Sequence, residues 1–343
     1  MKIVSYSDIG ARNNNEDSIA LGEFVFALCD GVGGISKGEV ASRFVASSII
    51  RKMQGVEKSS ISAQLVQKIV FEIQDELNKS LTDHPDYHGM GTTLCAVFTS
   101  DKEVLLVHIG DSRIYFVKPN EKKYWRTTDH STVAELVQSG ILKEEDAKNH
   151  YLSNQITRAI QAIQGIEPSV PDLTTTDNIE TGDLIFICSD GVLESFSDKD
   201  LLEILIDKNT KLNKKLETIE VKCKKGSSDN NTAIILEFED EDQINTQTEN
   251  DLNWNYLPNQ DPESQASDNN QQTKAKTNKQ ANIKSNNSLN TIIRIALYTF
   301  AILFIAFLTL TLKKKSSKKS ISENRELITD RTTYKNCDFK ISG

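Results

Sequence analysis

No two cysteines in this sequence are spaced to bind zinc or to staple a small fold. There are five in 343 residues, with no CxxC and no paired spacing among them. Cys29, Cys95 and Cys188 lie inside apolar runs, where a thiol behaves as a small hydrophobe. A zinc ribbon and a disulfide framework are therefore excluded, and a reducing compartment is expected. Positive charge is also in short supply: the net charge of −9 argues against general nucleic-acid binding. The N-terminus, MKIVSYSDIG, has no apolar stretch of signal-peptide length, so no secretory signal is expected. The glycine-rich segment 31–38 has neither G-x-G-x-x-G spacing nor a G-x-x-x-x-G-K-[ST] ending, and no EF-hand pattern occurs. Apolar residues make up only 38%, and the shortfall is uneven. Residues 1–239 read as one packed domain and 240–290 do not.

Within the packed part, 24–34 (FVFALCDGVGG) organises the rest. Its apolar run has no polar alternation, which suits a strand covered on both faces. It ends in Asp30-Gly31, and a carboxylate at the end of a buried strand is costly unless a cation or donor waits there. Segment 184–191 (LIFICSDG) repeats the pattern and ends in Asp190-Gly191. Two buried strands each delivering a carboxylate point to one shared acidic site.

A short strand is expected at 3–6, then a polar loop. Helices are expected at 37–53 and at 62–81, where Leu65, Ile69, Ile73 and Leu77 recur at i+4. Strands follow at 92–98, 104–109 and 114–117. A mixed, charged stretch from 132 to about 163 reads as helical. Strands at 184–189 and 232–238 enclose helices near 200–208 and 212–222. Short strands interrupted by helix pairs make an α+β layered domain rather than a βαβα alternation.

Beyond it, 240–290 is rich in Asn, Gln, Ser, Asp and Lys and is expected to be a disordered linker. Its one aromatic island, 252–258 (LNWNYLP), reads as a chance cluster rather than a docking motif. Segment 291–312 carries no charge after Arg294 and is long enough to cross a bilayer as a helix. A short basic tail, 313–343, follows. The lysines at 313–315 and 318–319 would prefer the cytoplasm. Keeping them there would send a domain of about 240 residues across the membrane without a signal. The expectation is therefore a single-pass protein of the cytoplasmic membrane, with its large domain in the cytoplasm.

The polar signals fall in order: Arg12 with Glu16-Asp17, Asp30-Gly31, Gly91-Thr92-Thr93, Gly110-Asp111-Ser112-Arg113, Asp190-Gly191 with Glu194, and Asp229-Asn230. Most abut strand ends, so a sheet can gather them. A lone Asp-Gly is more often a turn than a ligand; the number of strand-end carboxylates changes that reading. Oxygen-only ligands favour Mg²⁺ or Mn²⁺ over zinc or copper.

The ordered set SDIGARNNNED, CDGVGG, GTT, GDSRIY, TDHS, SDGVLE and SDNNTAIIL resembles the metal-dependent serine/threonine phosphatases of the protein phosphatase 2C (PPM) type, in particular the compact bacterial members. It covers residues 1 to about 238. The resemblance implies a four-layer αββα sandwich, two antiparallel sheets flanked by helix pairs, with two divalent cations at one end. It implies that Asp30 bridges both ions, that Gly31 adds its carbonyl, and that Asp190 and Asp229 complete one ion. Either Glu16 or Asp17 would hold the other, directly or through water. Asp111, Asp190 and Glu194 would form a weaker third site, and Arg12 would hold the substrate phosphate. The implied reaction is attack on phosphorus by a hydroxide bridging the metals, with phosphorylated proteins as substrates and a cognate kinase as a partner. Arginine suits that role because its fork of donors matches phosphate oxygens. Many eukaryotic members have a histidine just after the Asp-Gly pair as general acid; here the position is Val32, which cannot transfer a proton. Cys29 reads as core and His130 as structural, and 133–158 corresponds to the family's mobile flap. The competing readings are a pseudoenzyme, the same fold binding or sensing phosphoproteins, and a metal-dependent nuclease. The acidic balance disfavours the nuclease.

Overall fold

The computed structural model describes residues 1–32, 37–148, 150–245 and 252–256. The expected membrane span, the tail and the linker apart from 240–245 and 252–256 lie outside the described residues. Among the described residues no helix is long and apolar enough to cross a membrane.

The chain opens with β1 (Lys2–Asp8), β2 (Asp17–Leu21) and β3 (Val25–Val32), then α1 (Gly38–Met53) and α2 (Ala63–Lys79). Next come β4 (Gly91–Thr92), β5 (Leu94–Thr99), β6 (Val104–Ile109), β7 (Arg113–Lys118) and β8 (Lys123–Arg126). After α3 (Thr132–Gln138) and α4 (Glu144–Ala147) follow β9 (Ile160–Gln161), β10 (Asp172–Thr176), β11 (Asn178–Ile179) and β12 (Leu184–Cys188). The remaining elements are α5 (Asp190–Ser195), α6 (Asp198–Ile206), α7 (Leu212–Gly226), β13 (Asn231–Glu237), β14 (Ile244–Asn245) and β15 (Asn255–Tyr256).

The first sheet runs β1-β13-β12-β7-β8-β15, all antiparallel. The second runs β10-β6-β5-β3-β4-β9, also antiparallel, with β2 pairing β3. The sheets face each other across Phe26, Leu28, Val97, Phe116, Ile185, Ile187 and Ile234. Outside the second sheet, Val25, Ala27 and Cys29 meet Val45, Ile49, Ile69 and Ile73 of α1 and α2. Outside the first, Phe186, Cys188 and Ala233 meet Leu201, Leu205, Leu216 and Ile219 of α6 and α7. This is the four-layer αββα arrangement. It explains the unbroken run in β3: alternate residues enter two different cores, so neither face needs a polar residue. Cys29 is fully buried packing, as expected.

Three expectations are corrected. Among the described residues, the stretch from 132 to 163 is helical only in α3 and α4. Ile141 and Tyr151 there are 75% and 87% exposed, so the apolar face that stabilises a longer helix is missing. Packing does not stop at 239: β14 pairs with β11, and the described residues 252–256 belong to the same compact unit as the strands before them. Nor is the aromatic island a chance cluster. Leu252 and Trp254 pack on the inter-sheet core, β15 adds to the free edge of β8, and Trp254 lies 5.2 Å from the Phe116 ring.

Candidate active site

The site forms where several strands of the two sheets end together. In the second sheet the register places Asp17 of β2 directly opposite Asp30 of β3. In the first, Cys188 of β12 pairs with both Arg113 and Ala233. That brings Asp190, the turn 110–112 and the segment 229–230 to one end. Asp190 is the first residue of α5, whose start lies hard against β13. A Cβ on Gly191 would come within 2.1 Å of the Asn230 carbonyl oxygen, so only glycine fits there.

Neutral groups fix the acids in place. Ser189 Oγ donates to Asp17 Oδ2 at 2.9 Å and accepts the Thr232 N–H at 3.0 Å. The Asp30 backbone is clamped by the GTT motif. Its N–H donates to Thr93 Oγ1 at 3.0 Å, and its carbonyl accepts from Thr93 N at 2.8 Å and Thr92 Oγ1 at 2.9 Å. Thr93 Oγ1 also meets Ser112 Oγ at 2.9 Å, tying Asp30 to the turn that carries Asp111. Asn230 holds the loop bearing Arg12 and Glu16. Its Oδ1 accepts the Glu16 N–H at 2.8 Å, while Nδ2 donates to the carbonyls of Ile9 and Asn14. The sequence alone gives Ser189, Thr93 and Asn230 no role. Ser189 and Asn230 carry a positional signal, each adjoining a site acid, and Thr93 stands out only as part of the GTT motif.

The electrostatics are those of crowded, dehydrated carboxylates. Burial, then Asp17, Asp190 and Asp111, push Asp30 well above the ordinary carboxylate range. Asp190 is pushed up to about 8 by burial, then by Asp111 and Asp229. Asp17 and Asp111 are each pushed up to about 6, burial leading in both. Glu16 is raised by burial and by Glu39. Asp17 Oδ1 is buried with no hydrogen-bond partner, an expensive state for a carboxylate oxygen. Such a donor set fits hard divalent cations, which bind carboxylate oxygen and remove the mutual repulsion.

The structure gathers Asp17, Asp30, Asp111, Asp190 and Asp229 and sets Glu16 and Gly31 beside them, with the Gly31 N–H on the Glu16 carbonyl at 3.1 Å. Arg12 places Nη2 2.6 Å from Asp229 Oδ2 while staying 60% exposed, so its fork is open to a ligand. Glu194 makes its hydrogen bonds to the loop beside the site. It is exposed, and its carboxylate accepts from Ser227 Oγ, Ser228 N and Asp229 N, bracing the loop that carries Asp229. Val32 closes β3 against Gly91.

A second cluster fits a metal by distance alone. One ligand atom from each of His108, His130 and Asp172 lies within 4.8 Å of the others. However, His130 Nδ1 accepts the Gly110 N–H at 3.1 Å, which puts its proton on Nε2, facing Asp172 Oδ2 at 3.0 Å. A metal at Nε2 would force that proton onto Nδ1, against another N–H. His108 Nε2 donates to the Ser112 carbonyl at 3.0 Å. The pair therefore braces the turn 110–112, and Arg158 completes Asp172 at 2.7 Å.

Comparison with known proteins converges on one family. The protein phosphatase 2C family model matches residues 6–220. The chain is 33% identical to the serine/threonine protein phosphatase PstP of Mycobacterium tuberculosis over 72% of its own length, and spans about half (47%) of that relative. It is 31% identical to the serine/threonine phosphatase stp of Listeria innocua, covering 66% of this chain and 91% of the relative. Among solved structures, the PstP catalytic domain in complex with two manganese ions superposes with a TM-score of 0.60 at 29% identity, covering 70% of this chain and 98% of that one.

Proposed function

This chain belongs to the protein phosphatase 2C family of serine/threonine protein phosphatases, and we propose that it hydrolyses phosphoserine and phosphothreonine monoesters in proteins with the help of bound Mn²⁺ or Mg²⁺. The observation that carries this reading is the set of five aspartates at the common strand ends, with one orphaned carboxylate oxygen on Asp17 and an exposed guanidinium on Asp229. Asp30, the Gly31 carbonyl, Asp190 and Asp229 would hold the cations together with Asp17 or Glu16, and Asp111 would serve a third, weaker position. Bound there, such ions supply Lewis-acid charge and a water acidic enough to act as nucleophile near neutral pH.

The protein's own residues do the rest. Thr93 and Thr92 fix the Asp30 backbone, Ser189 orients Asp17, and Asn230 aims the loop of Arg12. Arg12 then receives the phosphate oxygens through paired N–H donors. Val32 offers no proton to the leaving alkoxide, so the chain supplies no general acid at that position. The proposed substrates are phosphoproteins made by a cognate kinase. The proposed location is the cytoplasmic membrane, with 291–312 as the anchor and the catalytic unit in the cytoplasm. Proteolysis of the tail in intact cells tests this, and a protected tail counts against it.

The decisive experiment measures the 343-residue chain on a phosphothreonine peptide. Turnover is expected with Mn²⁺ and none in EDTA, and Mn²⁺ should raise the melting temperature by mass action. Asp30→Asn should lower turnover by more than about 100-fold and shrink the melting shift. No turnover with Mn²⁺ between pH 6 and 9 would sink the enzyme reading in favour of a phosphoprotein-binding module.

A further inference from the structure

A cluster beside the carboxylate site has no part in the mechanism above: Lys37, Asp86 and Tyr87, with His84 behind them. Its position follows from close packing at Gly38. A Cβ there would lie 2.4 Å from Glu16 Oε2 and 2.9 Å from the Gly31 carbonyl carbon, so α1 starts in contact with the acidic site. Lys37, one residue earlier, has a left-handed backbone (φ 48°, ψ 47°). Across from it, the turn Pro85–Tyr87 leads directly into β4, whose Gly91 and Thr92 pair with Val32 and Gly31. Lys37 and Tyr87 thus stand on two segments that flank the same few residues of β3.

The side chains form an open shelf. The Lys37 ammonium lies 4.4 Å from the centre of the Tyr87 ring and pairs with Asp86. His84 stacks on Tyr87 at 4.6 Å with the rings 16° apart. Tyr87 packs on the core beneath α1 and α2, so the shelf is anchored. Lys37 is 40% exposed and Asp86 61% exposed. An ion pair this open to water contributes little, so its carboxylate partner is readily exchanged. The aromatic ring keeps the ammonium in place whichever carboxylate faces it.

We propose that Lys37 is a specificity-determining residue, which takes an acidic side chain of the protein substrate next to the phosphorylated residue, in exchange for Asp86. The inference rests on the phosphatase reading and names a substrate class for it. Tyr87 holds the cation in position and Asp86 occupies its place in the free protein.

The test compares kcat/KM of the 343-residue chain with Mn²⁺ on three substrates: p-nitrophenyl phosphate, a phosphothreonine peptide flanked by glutamates, and the same peptide flanked by glutamines. The wild type should prefer the acidic peptide. Lys37→Gln should lower the acidic-to-neutral ratio by about fivefold, the upper end for an exposed ion pair. Lys37→Arg should restore it, Lys37→Glu should lower it further, and Asp86→Asn should raise it. A ratio unchanged in Lys37→Gln and Lys37→Glu overturns the inference alone. So does an equal fall on all three substrates, which would mark Lys37 as a structural latch. Failure of the wild type to turn over any of the three overturns the phosphatase reading and the inference with it.

Discussion

Removing the Trp254 ring should cost the catalytic unit a measurable part of its stability, although the residue lies far along the chain from the last strand legible in the sequence. Trp254 is half-buried against the inter-sheet core. Its ring lies 5.2 Å from Phe116, and the Lys123 ammonium lies 4.5 Å from its centre. Truncating a fully buried tryptophan to alanine costs about 3–5 kcal/mol. Half of that, about 2 kcal/mol, is the share for a ring still touching water, and the cation–π contact adds about 0.5–1 kcal/mol. The sum for Trp254→Ala is then about 2–3 kcal/mol. In a unit of this size each kcal/mol moves the melting temperature by about 2–4 °C, so a fall of about 5–10 °C is expected. Thermal unfolding by circular dichroism reads it directly. Only two tryptophans are present, so fluorescence of a Trp125→Phe variant reports Trp254 alone and should shift to the red when 252–256 leaves the β8 edge. A melting temperature within about 1 °C of the wild type would refute the packing of 252–256 on the core.

Two further predictions follow from the site and its supports. Arg12→Ala should raise KM for a phosphopeptide by about tenfold or more, the loss of a charge-assisted hydrogen bond. Its melting temperature should hold, because an exposed pair contributes little to folding; an unchanged KM would remove Arg12 from phosphate binding. His108 is held at about 4 instead of 6.5, by burial first and then by His130. The unfolded chain takes up this proton below pH 6.5 and the folded one only near pH 4. The stability is therefore complete above pH 6.5 and is lost as pH falls toward 4, by about 3 kcal/mol. The stability difference between wild type and His108→Gln should shift by that amount between pH 7 and 4, and parallel curves would refute it.

The strands that sequence reveals are those that serve two cores. In β12 and in residues 25–29 of β3 every residue is apolar because helices cover one face and the other sheet covers the other. Their ends, Asp30 and Asp190, stand out by contrast. β2 and β10 are illegible for the opposite reason. DSIAL and DLTTT carry little apolar pattern and are held as strands by the neighbours they pair with. Residues 252–256 were missed because a five-residue island in a polar run has no periodicity, and the unpaired edge of β8 decides its conformation. Glu194 enters the reading of the metal site only through the resemblance, and no pattern in the sequence shows what its carboxylate holds. α5 spans only six residues and turns Glu194 to the loop behind Asp229.

What sequence shows least is where the positive charge goes. Arg113 follows Asp111 by two residues. In the fold its guanidinium is taken by Asp129, at 2.7 Å through both Nε and Nη2, and by Asp198 at 2.8 Å. Asp111 keeps only a minor attraction to it and stays raised. Lys37 is paired with Asp86, and among the described residues the Arg12 guanidinium pairs with Asp229. The segments that carry the acids are instead held by uncharged groups: Ser189 donates to the Asp17 carboxylate, while Thr93 and Asn230 accept the backbone N–H groups of Asp30 and Glu16, and none of them cancels a carboxylate's charge. With Arg113 and Lys37 drawn elsewhere, Arg12 paired with Asp229, and the acid-bearing segments fixed by uncharged groups, the site retains its charge deficit in the folded state. That deficit is the physical basis for divalent cation binding, and it arises from the placement of Arg113 and the uncharged groups as much as from the aspartates.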